Sequence, residues 1–199
     1  MITSLLIWLK HHCPWLWTAV ESLNSLLCRL RYGSGLKASA ARLAAGVNTP
    51  GFTWSLVTPD DAPALSAFLE SLPADSLRWF RPHPFTPGAI RRMASGMSFI
   101  MFKVSDTQGR IAGYNFLRLF FIGKAFHGLA VGPECRGNGL GGHMWALGAE
   151  VCASAGIKMH ATVSLENQPS LHSCRRATVC TEIRRLPGGF IEVQCLPKH

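Results

Sequence analysis

The sequence predicts an α/β fold, a mixed and mostly antiparallel central sheet with flanking helices, preceded by a helical extension. Three observations predict it. An apolar run (Leu129, Ala130, Val131) passes through a glycine-rich turn into the stripe Leu140, Met144, Leu147, Val151, one face of an amphipathic helix. Two pairs of alternating segments flank turn signals, at Ser105-Asp106-Thr107-Gln108-Gly109-Arg110 and at Leu186-Pro187-Gly188-Gly189, and read as hairpins. Near the amino terminus, Leu16, Val20, Leu23, Leu27 and Leu30 repeat at helical spacing, with Glu21, Asn24, Ser25, Arg29 and Arg31 on other faces.

The elements follow in order. Residues 1–32 carry that helical stripe behind a shorter apolar stretch, Leu5 to Leu9, broken by Lys10-His11-His12 and followed by Trp15, Leu16 and Trp17. No apolar run there approaches the roughly 18–20 residues needed to span a bilayer, and a signal-peptide cleavage pattern is missing. Gly33 to Gly46 reads as a linker with a helical turn, which gives an extension over 1–46 and a main domain over 47–199. Phe52 to Val57 is the first strand, and Asp61 to Leu72 a helix capped by the Thr58/Asp60 cluster. Pro73-Ala74-Asp75-Ser76 opens a short helical piece, and Thr86-Pro87 a further one to Ser95. Ser98–Val104 and Ile111–Phe120 form the first hairpin, and Lys124–Val131 the fourth strand. Gly139–Ala155 is the helix after the glycine turn, Ile157–Val163 the fifth strand and Pro169–Ala177 a helix. Val179–Arg185 and Phe190–Leu196 close the second hairpin.

Composition narrows the partners. Twenty Lys and Arg against eleven Asp and Glu give a net charge of +9, which favours an anionic partner. No basic-aromatic stripe or zinc-finger spacing accompanies the charge, so nucleic acid is not expected. Seven cysteines, an odd number without a C-x-x-C, argue against a disulfide framework and for a reducing cytoplasm. Neither they nor the eight histidines show metal-ligand spacing, and no metal is expected.

Five glycines lie between Gly132 and Gly142, just before the helix. Bare backbone amides at a helix start form an anion site, since small residues permit close approach and the dipole favours negative charge. A Walker loop is excluded, because Gly137 is followed by Asn138 and Gly139 rather than by Lys-Ser/Thr. A dinucleotide fingerprint is formally present as Gly137, Gly139 and Gly142. It lies six residues beyond Val131, and only 57 residues follow it, too few for most of a doubly wound sheet.

The remaining pattern, Arg136-x-x-Gly139-x-Gly141 after Leu-Ala-Val, resembles the phosphate loop of the GNAT superfamily of acetyl-CoA-dependent N-acetyltransferases. Val163-Ser164-Leu165-Glu166-Asn167-Gln168-Pro169-Ser170 is similar to that family's fifth strand and Asn-x-x-Ser/Ala helix start. Val57-Thr58-Pro59-Asp60-Asp61-Ala62 with Leu65, Phe68 and Leu69 is similar to its first strand and helix. The resemblance covers about residues 52–196.

It implies a GNAT-type sheet and direct acetyl transfer from acetyl-CoA to an amine. It places Arg136, Gly137, Asn138, Gly139, Leu140, Gly141 and Gly142 on the pyrophosphate, and Leu129, Ala130 and Val131 on the pantetheine and the acetyl carbonyl. Asn167 would support the pantetheine arm, beside its ordinary reading as a helix N-cap. His127, on the fourth strand, is the expected base for the amine, with Glu166 and His172 in reserve; its plain alternative is a packed strand histidine. Relatives carry a proton-donating tyrosine seven residues after the asparagine; here that residue is Cys174, a weak donor or a space-filler. Arg81, His83 and Phe85, on a stretch stiffened by Pro82 and Pro84, are the candidate acceptor contacts, and with the basic balance they favour an anionic small amine such as a nucleotide-linked amino sugar. Protein termini or lysines are the alternative acceptors, and an acyl-CoA-binding module without turnover the alternative class. For residues 1–32 two readings stand, packing on the domain or on a second copy, and peripheral contact with a membrane at its inner face.

Overall fold

The computed structural model describes residues 14–33 and 35–198, with side chains from residue 19 onward. The readings at Leu5–Leu9, Lys10–His12 and the side chains of Trp15, Leu16 and Trp17 lie outside the described residues. Among the described residues two helices come first, α1 (Pro14–Tyr32) and α2 (Gly35–Ala45). β1 (Phe52–Leu56) leads into α3 (Ala62–Glu70), α4 (Ala74–Leu77) and α5 (Pro87–Ser95). β2 (Phe99–Asp106), β3 (Ile111–Phe120) and β4 (Lys124–Val131) run next, followed by α6 (Leu140–Ser154), β5 (Lys158–Ser164), α7 (Gln168–Ala177), β6 (Thr178–Leu186) and β7 (Phe190–Pro197). They make one seven-stranded sheet in the order β1-β2-β3-β4-β5-β7-β6. All pairs are antiparallel except β4 with β5.

Local chemistry sets the boundaries. Thr58 and Asp61 form a capping box ahead of α3, and Asp61 is ion-paired with Lys103 of β2. The Thr86 side chain accepts from the Ala89 N–H at 3.4 Å, and Pro87 occupies the first turn of α5. In the β2–β3 turn, Asp106 Oδ1 accepts from the backbone N–H groups of Gln108 and Arg110, both at 2.9 Å, and Gly109 takes a left-handed φ of 78°.

Each face of the sheet is covered. On one side Leu36, Ala40 and Ala44 of α2 and Leu140, Met144, Leu147 and Val151 of α6 join Phe102, Val104, Leu117, Leu119 and Met159. On the other, Leu65 and Leu69 of α3 and Ile90 of α5 pack on Phe99, Met101, Tyr114 and Phe116.

The expected linker is corrected. Residues 35–45 form a three-turn helix that is part of the first core, with Leu36 5 % exposed and Ala40 and Ala44 fully buried. Alanine is the strongest helix former, and Leu36, Ala40 and Ala44 at four-residue spacing make one narrow face that sits close to β1 and α6. A division at residue 46 therefore separates two elements of one core.

Most of the described part of the α1 stripe faces outward, with Leu27 half-buried. Val20, Leu23 and Leu30 are exposed, with Leu26 beside them. The helix docks through polar groups instead. Glu21 pairs with Arg118 at 2.8 Å, Asn24 donates to Leu119 O and accepts from Phe121 N, and Ser25 Oγ accepts from Met97 N at 3.0 Å. Arg31 donates to Phe121 O, and Cys28 is the buried apolar contact. No helix among the described residues is long and apolar enough to cross a membrane.

Candidate active site

β4 and β5 pair only over Lys124–Phe126 against Lys158–His160. Beyond that point the two strands part. β4 continues along β3 as far as Val131, and β5 continues along β7 as far as Ser164. The edge of β4 from His127 to Val131 that faces β5 therefore has no ladder partner, and buried or half-buried main-chain groups without partners are costly unless a ligand or water fills the role. A cleft of about 690 Å³ opens from this fork and is lined by residues 127–131, 135–137, 139–142, 161–164 and 166–167 and by Trp145.

The glycine turn forms the mouth of the cleft. Gly137 and Gly139 have φ of 84° and 78°, left-handed values that cost an L-residue about 1–2 kcal/mol. Gly139 is the N-cap of α6 and supplies no side chain to the helix's first amides, which stay available. A Cβ at Gly141 would lie 3.2 Å from Ser173 Oγ, so α6 and α7 meet here at backbone distance. Arg136 is exposed and donates to Ser76 Oγ at 2.6 Å across the mouth. A second tether joins the same segment to the other wall, the Arg78–Glu166 pair at 2.7 Å, with Arg78 also 4.2 Å from the Trp79 ring centroid.

The floor carries unpartnered polar groups. Trp145 Nε1, His127 Nδ1 and Asn115 Oδ1 are buried without a well-formed hydrogen bond, and Trp145 and His127 lie on the cleft wall. A long polar chain with amides, laid along the fork, fits such a surface, and an anionic head group fits the turn. The residues present thus suit coenzyme A.

Comparison with known proteins is decisive at this point. A model of the acetyltransferase (GNAT) family matches residues 65–177, more than half of the chain. The chain belongs to the GNAT acetyltransferase family. It is therefore an acyltransferase of a family that uses acetyl-CoA. The GNAT domain of a Streptomyces lividans PAT superposes with a TM-score of 0.61 at 18 % identity, covering 72 % of this chain and 89 % of that one. The ribosomal-protein-S5-alanine acetyltransferase of Vibrio fischeri gives 0.60 at 13 % identity, with 76 % and 94 % covered. The spermidine N-acetyltransferase of Vibrio cholerae, solved with CoA and spermine, gives 0.55 at 14 %, with 73 % and 93 % covered. These likenesses speak to the fold. No curated protein matches the chain in sequence.

Of the residues expected from the sequence, Leu129, Ala130, Val131, Arg136, Gly137, Gly139, Leu140, Gly141, Gly142 and Asn167 all line the cleft. Asn138 sits in the same turn and donates to Cys135 O at 3.1 Å, bracing the loop. Asn167 caps α7, accepting from Ser170 N at 3.3 Å.

The other expectations are redirected. Along β4, Ala125, Leu129 and Val131 belong with the core under α2 and α6, and His127 shares their parity, its ring 4.6 Å from that of Trp145 on α6. Gly128 and Ala130 face the opposite side, where Phe80 and Phe116 close in. Burial pushes the His127 imidazole down to about 3. His127 thus lines the cleft from the α6 side as a buried ring that disfavours the protonated form.

Cys174 is fully buried, its Sγ 3.4 Å from Cys195 Sγ and 3.6 Å from Thr178 Oγ1. Contact with Cys195 and burial push its thiol far up, and it does not line the cleft. The residue at the tyrosine position thus packs in the core, away from the cleft. The residues of α7 that reach the cleft are Pro169, Ser170, His172 and Ser173.

His83 is enclosed by rings, 5.8 Å from Phe85 and Tyr114 and 5.6 Å from Phe116, with Nε2 2.9 Å from Tyr114 Oη. Burial lowers its pKa. Neither it, nor Phe85, nor the exposed Arg81 lines the cleft. Their place at the mouth is taken by Asp75, Ser76, Trp79, Phe80 and Phe190, which sequence reasoning missed. The available signal was the Trp79-Phe80 pair between two arginines, and Phe190 directly after Gly188-Gly189.

Proposed function

We propose that the protein moves the acetyl group of acetyl-CoA onto the primary amine of a small molecule by direct attack in a ternary complex. The observation that carries this reading is the fork between β4 and β5, ending in the glycine turn on one side and in an aromatic, acidic mouth on the other. The N–H groups of Leu129 and Val131, on the edge of β4 turned away from β3, would polarise the acetyl carbonyl, and that contact strengthens as negative charge develops on the oxygen. Amides of residues 136–142 would hold the pyrophosphate.

Glu166, rather than His127, takes the role of accepting the amine's proton, directly or through water. Its carboxylate lies on the cleft wall, and the Arg78 contact fixes it there. The departing thiolate is a tolerable leaving group and is protonated by solvent. For the acceptor, Trp79 and Phe190, whose centroids lie 6.3 Å apart, together with Phe80, Asp75 and Glu166 suit a protonated amine on an apolar body. The nucleotide-linked amino sugar loses its support, because Arg81 and His83 stand off the cleft.

The test is release of free CoA with alkylamines, polyamines, amino sugars and peptides. Turnover with a small cationic amine supports the reading, and faster turnover with peptides refutes the acceptor class. Binding of acetyl-CoA without turnover on any amine returns the protein to a binding module.

We infer that α1 also rests on an anionic membrane surface. Val20, Leu23, Leu26 and Leu30 face outward together with Phe121 and Ile122 of the β3–β4 turn, while Arg29 and Arg31 are exposed on the last turn of the helix. Flotation with phosphatidylserine liposomes should be lost in Leu23→Glu/Leu26→Glu/Leu30→Glu. Equal flotation of both proteins, or a wild-type dimer that the variant abolishes without any liposome binding, overturns this inference.

A further inference from the structure

Three cysteines that are far from obvious neighbours in the sequence meet at one point. Cys180 of β6 and Cys195 of β7 are direct cross-strand partners, which sets their Cβ atoms about 4.5–5.5 Å apart on one face. Cys174 comes in from the last turn of α7. Thr178 holds that turn over the hairpin, donating its hydroxyl to Cys174 O at 2.9 Å and its backbone N–H to the same oxygen. The sulfurs of Cys174, Cys180 and Cys195 all lie within 4.8 Å of one another, with Cys174 and Cys195 3.4 Å apart.

The geometry points to a site for one monovalent copper ion, Cu(I), bound in the plane of these three sulfurs. A metal–thiolate bond of about 2.3 Å, with the metal at the centre of an equilateral triangle, needs sulfurs about 4.0 Å apart. The Cys174–Cys195 pair lies about 0.6 Å inside that value and no pair exceeds 4.8 Å, so a small rotamer adjustment completes the ring. Ligand number selects the metal. Structural zinc closes with four ligands, and no fourth Cys, His, Asp or Glu joins this cluster among the described residues. Soft thiolates select Cu(I), for which three suffice.

The charge balance is provided for. Entry of Cu(I) displaces three thiol protons and leaves a net charge of −2 at the site, with no electron transferred. Arg175 and Arg176 occupy the same turn of α7, Lys198 donates to both their carbonyls at 2.9 and 2.8 Å, and the Arg175 charge acts on Cys180. Two of the three ligands are buried and Cys180 is half-exposed, which leaves one side by which the ion can enter. The bound ion would pin α7, whose opposite end forms the cleft wall, to the β6–β7 hairpin.

The site is tested on the reduced full-length protein without oxygen, titrating Cu(I) in competition with the chromophoric chelator bathocuproine disulfonate. The expected result is withdrawal of one equivalent from the chelator, with thiolate-to-copper absorption in the ultraviolet. Cys180→Ser, the substitution with least effect on packing, should weaken binding at least about 100-fold, while Cys28→Ser should leave it unchanged. Equal affinity in wild type and Cys180→Ser, or an equal loss in Cys28→Ser, overturns the site. Failure of acetyl transfer in any assay leaves this result untouched, since copper binding is read without turnover.

Discussion

Replacing His127 with leucine separates the two roles the sequence allows it. The imidazole is pushed down to about 3 by burial against Trp145 and the apolar side of α6, against about 6.5 in an unfolded chain. Between these values the unfolded chain binds a proton that the folded one refuses. The stability this neutral ring allows is therefore complete above pH 6.5 and drains away as pH falls toward 3. At about 1.36 kcal/mol per unit, lowering pH from 6.5 to 5 removes about 2 kcal/mol through this residue alone. That is a sizeable part of a total of about 5–15 kcal/mol. Burial also lowers His83 and His160, but these titrate in both proteins and cancel in the difference. Urea unfolding followed by tryptophan fluorescence at pH 7 and pH 5 measures it. Wild type should lose about 2 kcal/mol more than His127→Leu, and kcat of the variant at pH 7 should stay within about threefold of wild type. Parallel pH dependence of the two proteins refutes the burial argument, and a fall in kcat of about 100-fold or more restores His127 as the base.

The remaining predictions concern the loop, the mouth and the sheet. Gly139→Val forces a branched residue to a φ of 78° and crowds the anion site; the KM for acetyl-CoA should rise at least about tenfold, whereas an unchanged KM removes the loop from the binding site. Glu166→Gln should lower kcat about 100-fold or more with the KM for acetyl-CoA nearly constant, and a split the other way would make Glu166 a binding residue only. Glu192, 2 % exposed, is bonded to Lys124 and Arg184 at 2.7 and 2.8 Å, and these contacts hold its carboxyl below the usual glutamate range despite burial. Its contribution is present above about pH 4.3 and is lost as pH falls below that. Glu192→Gln should cost about 2 kcal/mol at pH 7, less than a sealed pair because Arg184 reaches water, and a thermal midpoint equal to wild type would contradict this.

The fold was legible where periodicity and punctuation agree. β4 begins and ends at the residues the sequence indicates, and α5 starts at the Thr86-Pro87 signal. The phosphate turn was legible for the same reason, since its chemistry is local. What escaped was tertiary. Gly33-Ser34-Gly35 made the alanine-rich segment resemble a tether, although Leu36, Ala40 and Ala44 already formed a packing face. Alternation along β4 groups His127 with Leu129 and Val131, but nothing in the residue order says which side the acceptor approaches. Cys174, Cys180 and Cys195 carry no metal-ligand spacing, and only the hairpin register and the end of α7 bring them together. The outward stripe of α1 shows the limit of helical periodicity: it finds an apolar face but not what that face meets.

Amide hydrogen exchange with and without acetyl-CoA tests the central claim most directly. The account predicts slowed exchange concentrated in Leu129, Val131 and residues 137–142, the unpaired edge of β4 and the first amides of α6. Protection confined to other segments, or none at saturating acetyl-CoA, would contradict it.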